Sequence, residues 1–280
     1  MDRRFQLVDV FHDGPFSGNP LAVVFDAEGL STEDMQRITQ WLNLSETAFL
    51  LPPTSAEADY RVRIFTLERE IPFAGHPTLG SCHAWLTAGG RPRAADKIIQ
   101  ECGAGLVPIS RGGANLAFAA PPLIRGGHVD AGTVQAIADF LRIDQGSIVA
   151  SQWADNGPGW VVVLLETAEA VLALNPPKGH PTRIELGVVG PYPPGSPAAF
   201  ELRAFFSDHT GGEVEDPVTG SLNASAAQWL LASGRATAPY TASQGTRLGR
   251  TGRIFIDQDP AGKVWVGGKA NTLFSGVCSI

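Results

Sequence analysis

Three side chains stand in phrases that could move a proton: His76 in "GHPTLGSCHAWL", Asp216 in "EDPVTGSLNASAAQWL" and Glu46 in "NLSETAFLL". An imidazole can donate, accept or carry a proton near neutral pH and is a poor helix cap, so His76 reads as a proton-handling group more readily than as a structural one. Aspartate is among the best N-cap residues, so Asp216 stays open between capping its helix and working in a site. Glu46, flanked by Ser45 and Thr47 at the entrance to an apolar run, is by composition an exposed strand residue, and its neighbours alone do not single it out.

The first two phrases are nearly one phrase written twice. Setting His76 on Asp216 gives an offset of 216 − 76 = 140 residues, at which Arg63 falls on Arg203, Phe65 on Phe205, Pro77 on Pro217, Gly80 on Gly220 and Ser81 on Ser221. The agreement reads as an internal duplication, with a shared local grammar of strand, turn and helix start as the plainer account. Two pseudo-symmetric halves are then expected to start their central helices at equivalent points, facing one another across an interdomain cleft. Helix starts present N–H groups without intrahelical acceptors and a partial positive charge, so this pair would hold a carboxylate or a developing enolate. Ser81 and Ser221 lie one turn inside, as buried partners or donors. The expected partner is a small anionic organic acid.

The elements that must position these residues are legible in outline. Phe5 to Phe11 and Leu21 to Phe25 alternate as strands around a turn rich in Gly, Asn and Pro. Ser31 and Asp34 form an acidic capping box ahead of "TEDMQRITQWLN", whose Met35, Ile38 and Leu42 recur at helical spacing over about three turns. "ETAFLLP" and "ADYRVRIFTL" are strands, the second with Tyr60, Val62 and Ile64 on one side. Pro77 suits a first helical position, with Gly89 and Gly90 as the stop, and the helix between is apolar on most sides, hence central and buried. The second half repeats the plan with helix "TVQAIADFLRI", strands "GWVVVLLE" and "FELRAFF", and a mostly apolar helix from Asp216 to Gly234. The fold class is α+β: two pseudo-symmetric domains, 1–118 and 119–267, each a mostly antiparallel sheet wrapped around a central helix, with 268–280 packing back onto the first.

Composition narrows the partners. A length of 280 residues accommodates two ordinary cores, and a formal charge of −7 without basic runs argues against nucleic acid. Neither a signal peptide nor a membrane-length apolar window is present, which suggests a cytoplasmic protein without membrane partners. Cys82, Cys102 and Cys278 form no CxxC or even-numbered framework and are expected to be reduced and buried. The chain has no P-loop, Rossmann fingerprint, GxSxG elbow or metal-ligand spacing, so neither metal nor cofactor is expected.

"GNPLAVV" at Gly18, "NLSETAFL" at Asn43, "EREIPFAGHPTLG" at Glu68, "EVEDPVTGS" at Glu213 and "SQGTRLGR" at Ser243 resemble, in order and over nearly the whole chain, the motifs of the phenazine-biosynthesis isomerase (PhzF-like) family. The resemblance implies the diaminopimelate-epimerase fold with its active site between two domains, and a homodimer. It implies that Glu46 is the acid/base that moves a proton within the substrate, with His76, Asp216 and Ser221 as assisting catalytic residues. By position, Gly18, Asn19, Gly75, Pro77, Thr78, Thr219 and Gly220 would bind substrate. The family's type reaction is a proton shift along a dihydro-hydroxyanthranilic acid without metal or cofactor.

Other readings stand beside it. Racemases of this fold use two thiols, but the corresponding approaches here carry Ala74 and Glu215, so that chemistry is disfavoured. A carboxylate-based epimerase of an amino or hydroxy acid, with Glu46 and Asp216 as opposed bases, or a ligand-binding protein without turnover, remain as alternatives. Family members commonly have Pro where this chain has Leu67, Ser207 and Thr251, and a small residue where it has Leu222; Leu222 lies within the first two turns of the second helix, close to the expected site.

Overall fold

The computed structural model describes residues 2–111, 115–177, 185–207 and 212–280. Along the chain come β1 (Asp2–Val10), β2 (Asn19–Val24), α1 (Thr32–Leu42), β3 (Glu46–Leu51), β4 (Tyr60–Thr66), β5 (Glu70–Ile71), α2 (Gly75–Thr87), β6 (Lys97–Cys102), β7 (Gly105–Ser110) and β8 (Leu116–Ala119). There follow β9 (Arg125–Gly127), α3 (Ala131–Leu141), β10 (Ile148–Asp155), β11 (Val161–Leu165), α4 (Ala168–Ala173), β12 (Glu185–Pro191), β13 (Phe200–Ser207), β14 (Glu213–Asp216), α5 (Gly220–Ala232), β15 (Tyr240–Gln244), β16 (Gly252–Gln258), β17 (Val264–Gly268) and β18 (Ala270–Ser279). The chain divides into two compact units, 1–119 with 267–280, and 120–266.

In the first unit β18 pairs with β1, and the sheet continues through β2, β3, β4, β6, β7 and β8; it is antiparallel except at β2–β3 and β4–β6. The helix α1 makes the parallel crossover from β2 to β3. Its capping box is formed: Ser31 Oγ accepts from the Asp34 N–H at 3.0 Å and meets the Asp34 carboxylate at 2.8 Å. Met35 of α1 joins Val24, Ala27, Phe49 and Phe65 in a core cluster. The helix α2 touches β1, β2, β3, β8 and β18, so the sheet wraps it. Small residues make that approach possible: a Cβ on Gly80 would lie 2.5 Å from Leu21 Cδ2 and 2.9 Å from Val10 Cγ2. Any side chain there would force the helix off the sheet.

The second unit repeats this plan strand for strand. Here β10, β11, β12, β13, β15 and β16 take the places of β1, β2, β3, β4, β6 and β7, again parallel only at the second and fourth pairings. The short helix α4 makes the crossover that α1 makes, and α5 occupies the place of α2. Its core gathers Ile137, Phe140 and Leu141 of α3 against Val161, Val163, Leu186, Val188 and Phe205 of the sheet.

The register corrects the expected alignment of the repeat. Phe65 pairs with Glu70 and Phe205 with Glu215, so the offset is 205 − 65 = 140 on the first strand of the hairpin but 215 − 70 = 145 on the second. The helices begin at Gly75 and Gly220, also 145 apart, and both run thirteen residues. The second hairpin is five residues longer, so the offset of 140 holds only as far as its turn. Position by position, Pro72 answers to Pro217, Gly75 to Gly220 and His76 to Ser221, whereas Asp216 answers to Ile71. Two further expectations move with it. Pro77 is the third helical residue rather than the first, still among the N–H positions that need no acceptor within the helix. The second helix starts at Gly220 rather than Asp216.

Candidate functional site

In the first unit the site is built where β3 begins and α2 begins. Asn43 ends α1 in the left-handed conformation, at φ 54°, and turns the chain so that Glu46 opens β3 opposite Thr66. Its carboxylate Oε2 lies 3.5 Å from Nδ1 of His76, the second residue of α2; the two side chains keep 17% and 4% of their accessible surface. Burial pushes the Glu46 carboxyl up to about 7, against the opposing pull of its hydrogen bond to the Ser45 hydroxyl. This carboxyl therefore sits half-protonated near neutral pH. Ser45 Oγ in turn lies 3.4 Å from Asn19 Oδ1.

The loop carrying Gly18 and Asn19 is held from below. Buried Asp9 on β1 accepts the N–H of Gly18 at 2.8 Å and that of Ser17 at 3.0 Å. Only glycine fits at 18, since a Cβ would lie 2.1 Å from the Val10 carbonyl oxygen. Asp9 is a residue that sequence reasoning missed; the signal for it was a lone acid at the end of an apolar strand facing a Gly-Asn turn.

Gly75, Pro77 and Thr78 are all buried in the first turn of α2. The Thr78 hydroxyl accepts from Gln100 Nε2 at 3.1 Å, while Gln100 Oε1 accepts from Tyr60 at 2.8 Å and from Ser81 at 3.3 Å. The Thr78 and Ser81 side chains thus serve a closed internal network. What Thr78 and its neighbours offer a ligand is the helix start itself.

The second unit surrounds its helix start differently. Asp216, at the end of β14, accepts the Thr219 hydroxyl at 2.5 Å. Thr219 is the N-cap residue and makes no side-chain cap bond, so Asp216 does not cap α5. Gln244 ties the approach down: its Nε2 donates to the Asp216 carbonyl at 3.0 Å and to Thr219 Oγ1 at 2.9 Å, and its Oε1 accepts from the Thr219 N–H at 3.0 Å and from Asn223 at 2.7 Å. Ser221 Oγ accepts from the Trp160 indole at 3.0 Å, and the Ser221 carbonyl from Asn156 at 2.9 Å. Gln244, Trp160 and Asn156 lie 21 or more residues from the positions they hold, beyond any local motif.

Two expectations about neighbours change. Leu222 is fully buried with its Cδ1 against β12, where a Cβ on Gly187 would meet it at 2.3 Å, so it packs in the core of the second unit. The residue equivalent to Ala74 is Thr219 rather than Glu215, and neither carries a thiol. Of the cysteines all three are free, but only Cys82 is buried; Cys102 and Cys278 are half-buried.

These units define a twice-built α+β protein of the diaminopimelate-epimerase-like fold, with a protonatable carboxyl beside a histidine at one helix start. The family model described as phenazine biosynthesis-like protein matches residues 8–276, and the chain belongs to that family. It is 36% identical to antisense-enhancing sequence 1 of Schizosaccharomyces pombe, covering 98% of each chain. It is 32% identical to trans-2,3-dihydro-3-hydroxyanthranilate isomerase of Pseudomonas aeruginosa, covering 93% of this chain and 92% of that one. The crystal structure of the Bacillus anthracis phenazine biosynthesis protein of the PhzF family superposes with a TM-score of 0.83 over the whole of both chains at 22% identity, a likeness of fold. Among the described residues no helix is long and apolar enough to cross a membrane.

Proposed function

We propose that this isomerase-family protein catalyses a proton shift in a small unsaturated carboxylic acid, with Glu46 as the single acid/base and no cofactor. The observation that carries this reading is the Glu46 carboxyl beside His76, titrating at about 7. A group that is half-ionised at working pH can both remove and return a proton. The Glu46 carboxylate takes a proton from one carbon of the allylic system, the electron pair delocalises toward the acid function, and the carboxyl returns the proton to another carbon as the double bond moves. Atoms balance without an oxidant or co-reactant. His76 positions and shares the proton, the starts of α2 and α5 hold anionic oxygens, and Asp216 and Ser221 assist. Gly18, Asn19, Gly75, Pro77, Thr78, Thr219 and Gly220 shape the substrate's surroundings. The Pseudomonas relative's name suggests trans-2,3-dihydro-3-hydroxyanthranilate as the first compound to try.

Proton NMR in deuterated buffer tests this, with that acid and a panel of unsaturated, amino and hydroxy acids. The expected result is deuterium incorporation with double-bond migration, reduced about a hundred- to ten-thousandfold in Glu46→Gln. Exchange at a single stereocentre without migration would favour the carboxylate-based epimerase. Saturable binding with no exchange by the wild-type protein would favour a ligand-binding role, a reading that the first relative's name, which describes no reaction, keeps in view.

A further inference from the structure

We propose that the first unit carries a second binding site, separate from Glu46 and His76, for a small molecule bearing a phosphate or carboxylate group. A cavity of about 390 Å³ opens between the loop after β1 and the start of β18, lined by His12, His83, Asn115, Lys269 and Asn271. That volume suits a metabolite-sized ligand. Its polar lining consists of two imidazoles, an ammonium and two amides, with no carboxylate among the lining residues. His83 follows His76 by seven residues on α2, about 10 Å along the helix axis, and neither Glu46 nor His76 lines the cavity.

Both imidazoles line the cavity. His83 Nε2 lies 3.1 Å from Thr272 Oγ1, and the Thr272 hydroxyl gives its one proton to Gln6 Oε1 at 3.0 Å. Thr272 therefore accepts from His83, which fixes the N–H on Nε2 and leaves Nδ1 as the atom that becomes a donor when the ring is protonated. Burial, and next the charge of nearby His12, hold the His83 pKa below its ordinary value. His12 Nδ1 is itself buried with no hydrogen-bond partner. An anion entering the cavity would meet both imidazoles and the Lys269 ammonium. The cavity wall is fixed: the Phe11 N–H donates to the Lys269 carbonyl at 2.7 Å, with Phe11 held at φ 63°. The charged and titratable groups facing the site are His12, His83, Lys269 and Asp13, the last 3.4 Å from the Lys269 ammonium and a competitor for it.

The test is NMR titration of the full-length protein with inorganic phosphate and, separately, succinate at constant ionic strength. The ring protons of His12 and His83 are followed, each assigned with its Gln variant. The expected result is saturable movement of both rings by at least one of the two anions, the better of them naming the ligand class, with weaker binding as pH rises above the histidine range. Lys269→Met weakens it about tenfold, the loss of one charge-assisted contact. Asp13→Asn, which releases Lys269, tightens it about threefold, and Glu46→Gln leaves it unchanged. Non-saturating shifts with both anions, equal affinity in Lys269→Met, or loss of binding in Glu46→Gln would each overturn the proposal.

Discussion

In the first unit Arg63 grips the Glu70 carboxylate through Nε at 2.8 Å and Nη2 at 2.6 Å, with 21% and 38% of the two side chains exposed. In the second, Arg203 grips Glu215 at 2.9 and 2.8 Å with 5% and 14% exposed, and its remaining donor reaches the carbonyls of Val171 and Leu174 at the end of α4. Each guanidinium also lies over the phenylalanine two residues on, Phe65 or Phe205. One hairpin device has been built twice, at the surface in one unit and sunk into the core in the other. The helix starts that follow diverge further, His76 with Glu46 in one and Ser221 with Trp160 in the other. The difference teaches that the backbone scaffold and the chemistry it presents have been tuned separately.

The ion pairs give the largest expected contrast. Arg203→Met leaves Glu215 charged and largely buried and removes the guanidinium that reaches two carbonyls, so about 3–5 kcal/mol of stability is lost. Arg63→Met removes a pair that water already screens and costs under about 1 kcal/mol. Urea unfolding of the two variants measures both. Equal losses would break the comparison and mean that the depth of the pair does not matter.

Much of this architecture could be read before any coordinates. The alternation of Tyr60, Val62 and Ile64, the Ser31–Asp34 cap and the nearly all-apolar helix after His76 are local patterns, and local patterns survive in a sequence. The repeat was visible as well, because Arg63 and Phe65 recur on an equivalent strand. Its pairing through the helix was not, since a five-residue difference in a hairpin turn leaves no periodic trace; the Phe65–Glu70 and Phe205–Glu215 registers and the helix starts at Gly75 and Gly220 expose it. Of the candidate site, His76 was legible from its own chemistry and Glu46 only through a family motif. Glu46 looked like an exposed strand residue, and its raised pKa arises from tertiary burial beneath α2 that no neighbouring residue announces. Leu222 looked like a site neighbour because a helical position says nothing of which face meets Gly187.

Glu46 gives the next contrast, one with a sign that can be worked out. Its carboxyl titrates at about 7 in the folded protein against an ordinary value of 4.5, so the folded state holds its proton more tightly. Stability from this group is fully present below pH ~4.5, falls as pH rises toward ~7, and stays at its lower level above that. A shift of that size corresponds to about 3–4 kcal/mol. Glu46→Gln removes the penalty: its stability relative to wild type should be near zero difference at pH 4.5 and grow to a gain of that order at pH 8. Asp34, Glu101, Asp130 and Asp259 have lowered pKa values and act in the opposite direction, but they are common to both proteins and cancel in the difference. A constant difference across the range would mean that Glu46 is not the buried titrating group.

The smallest contrast concerns the residue that stands where His76 would stand in the second unit. Ser221 Oγ accepts the Trp160 indole N–H at 3.0 Å, which leaves the hydroxyl proton to be donated elsewhere. If that proton goes to an anionic oxygen of the substrate, Ser221→Ala should raise KM about tenfold with kcat nearly unchanged, the loss of one hydrogen bond to a charged group. Trp160→Phe keeps the hydroxyl and should change KM less than threefold, although each substitution costs about 1 kcal/mol in stability by removing the same internal bond. Matching stability losses with unequal effects on KM would separate Ser221's service to a ligand from its service to the fold. Matching effects on both would reduce Ser221 to a fastening for Trp160, and the second helix start would then contribute its backbone alone.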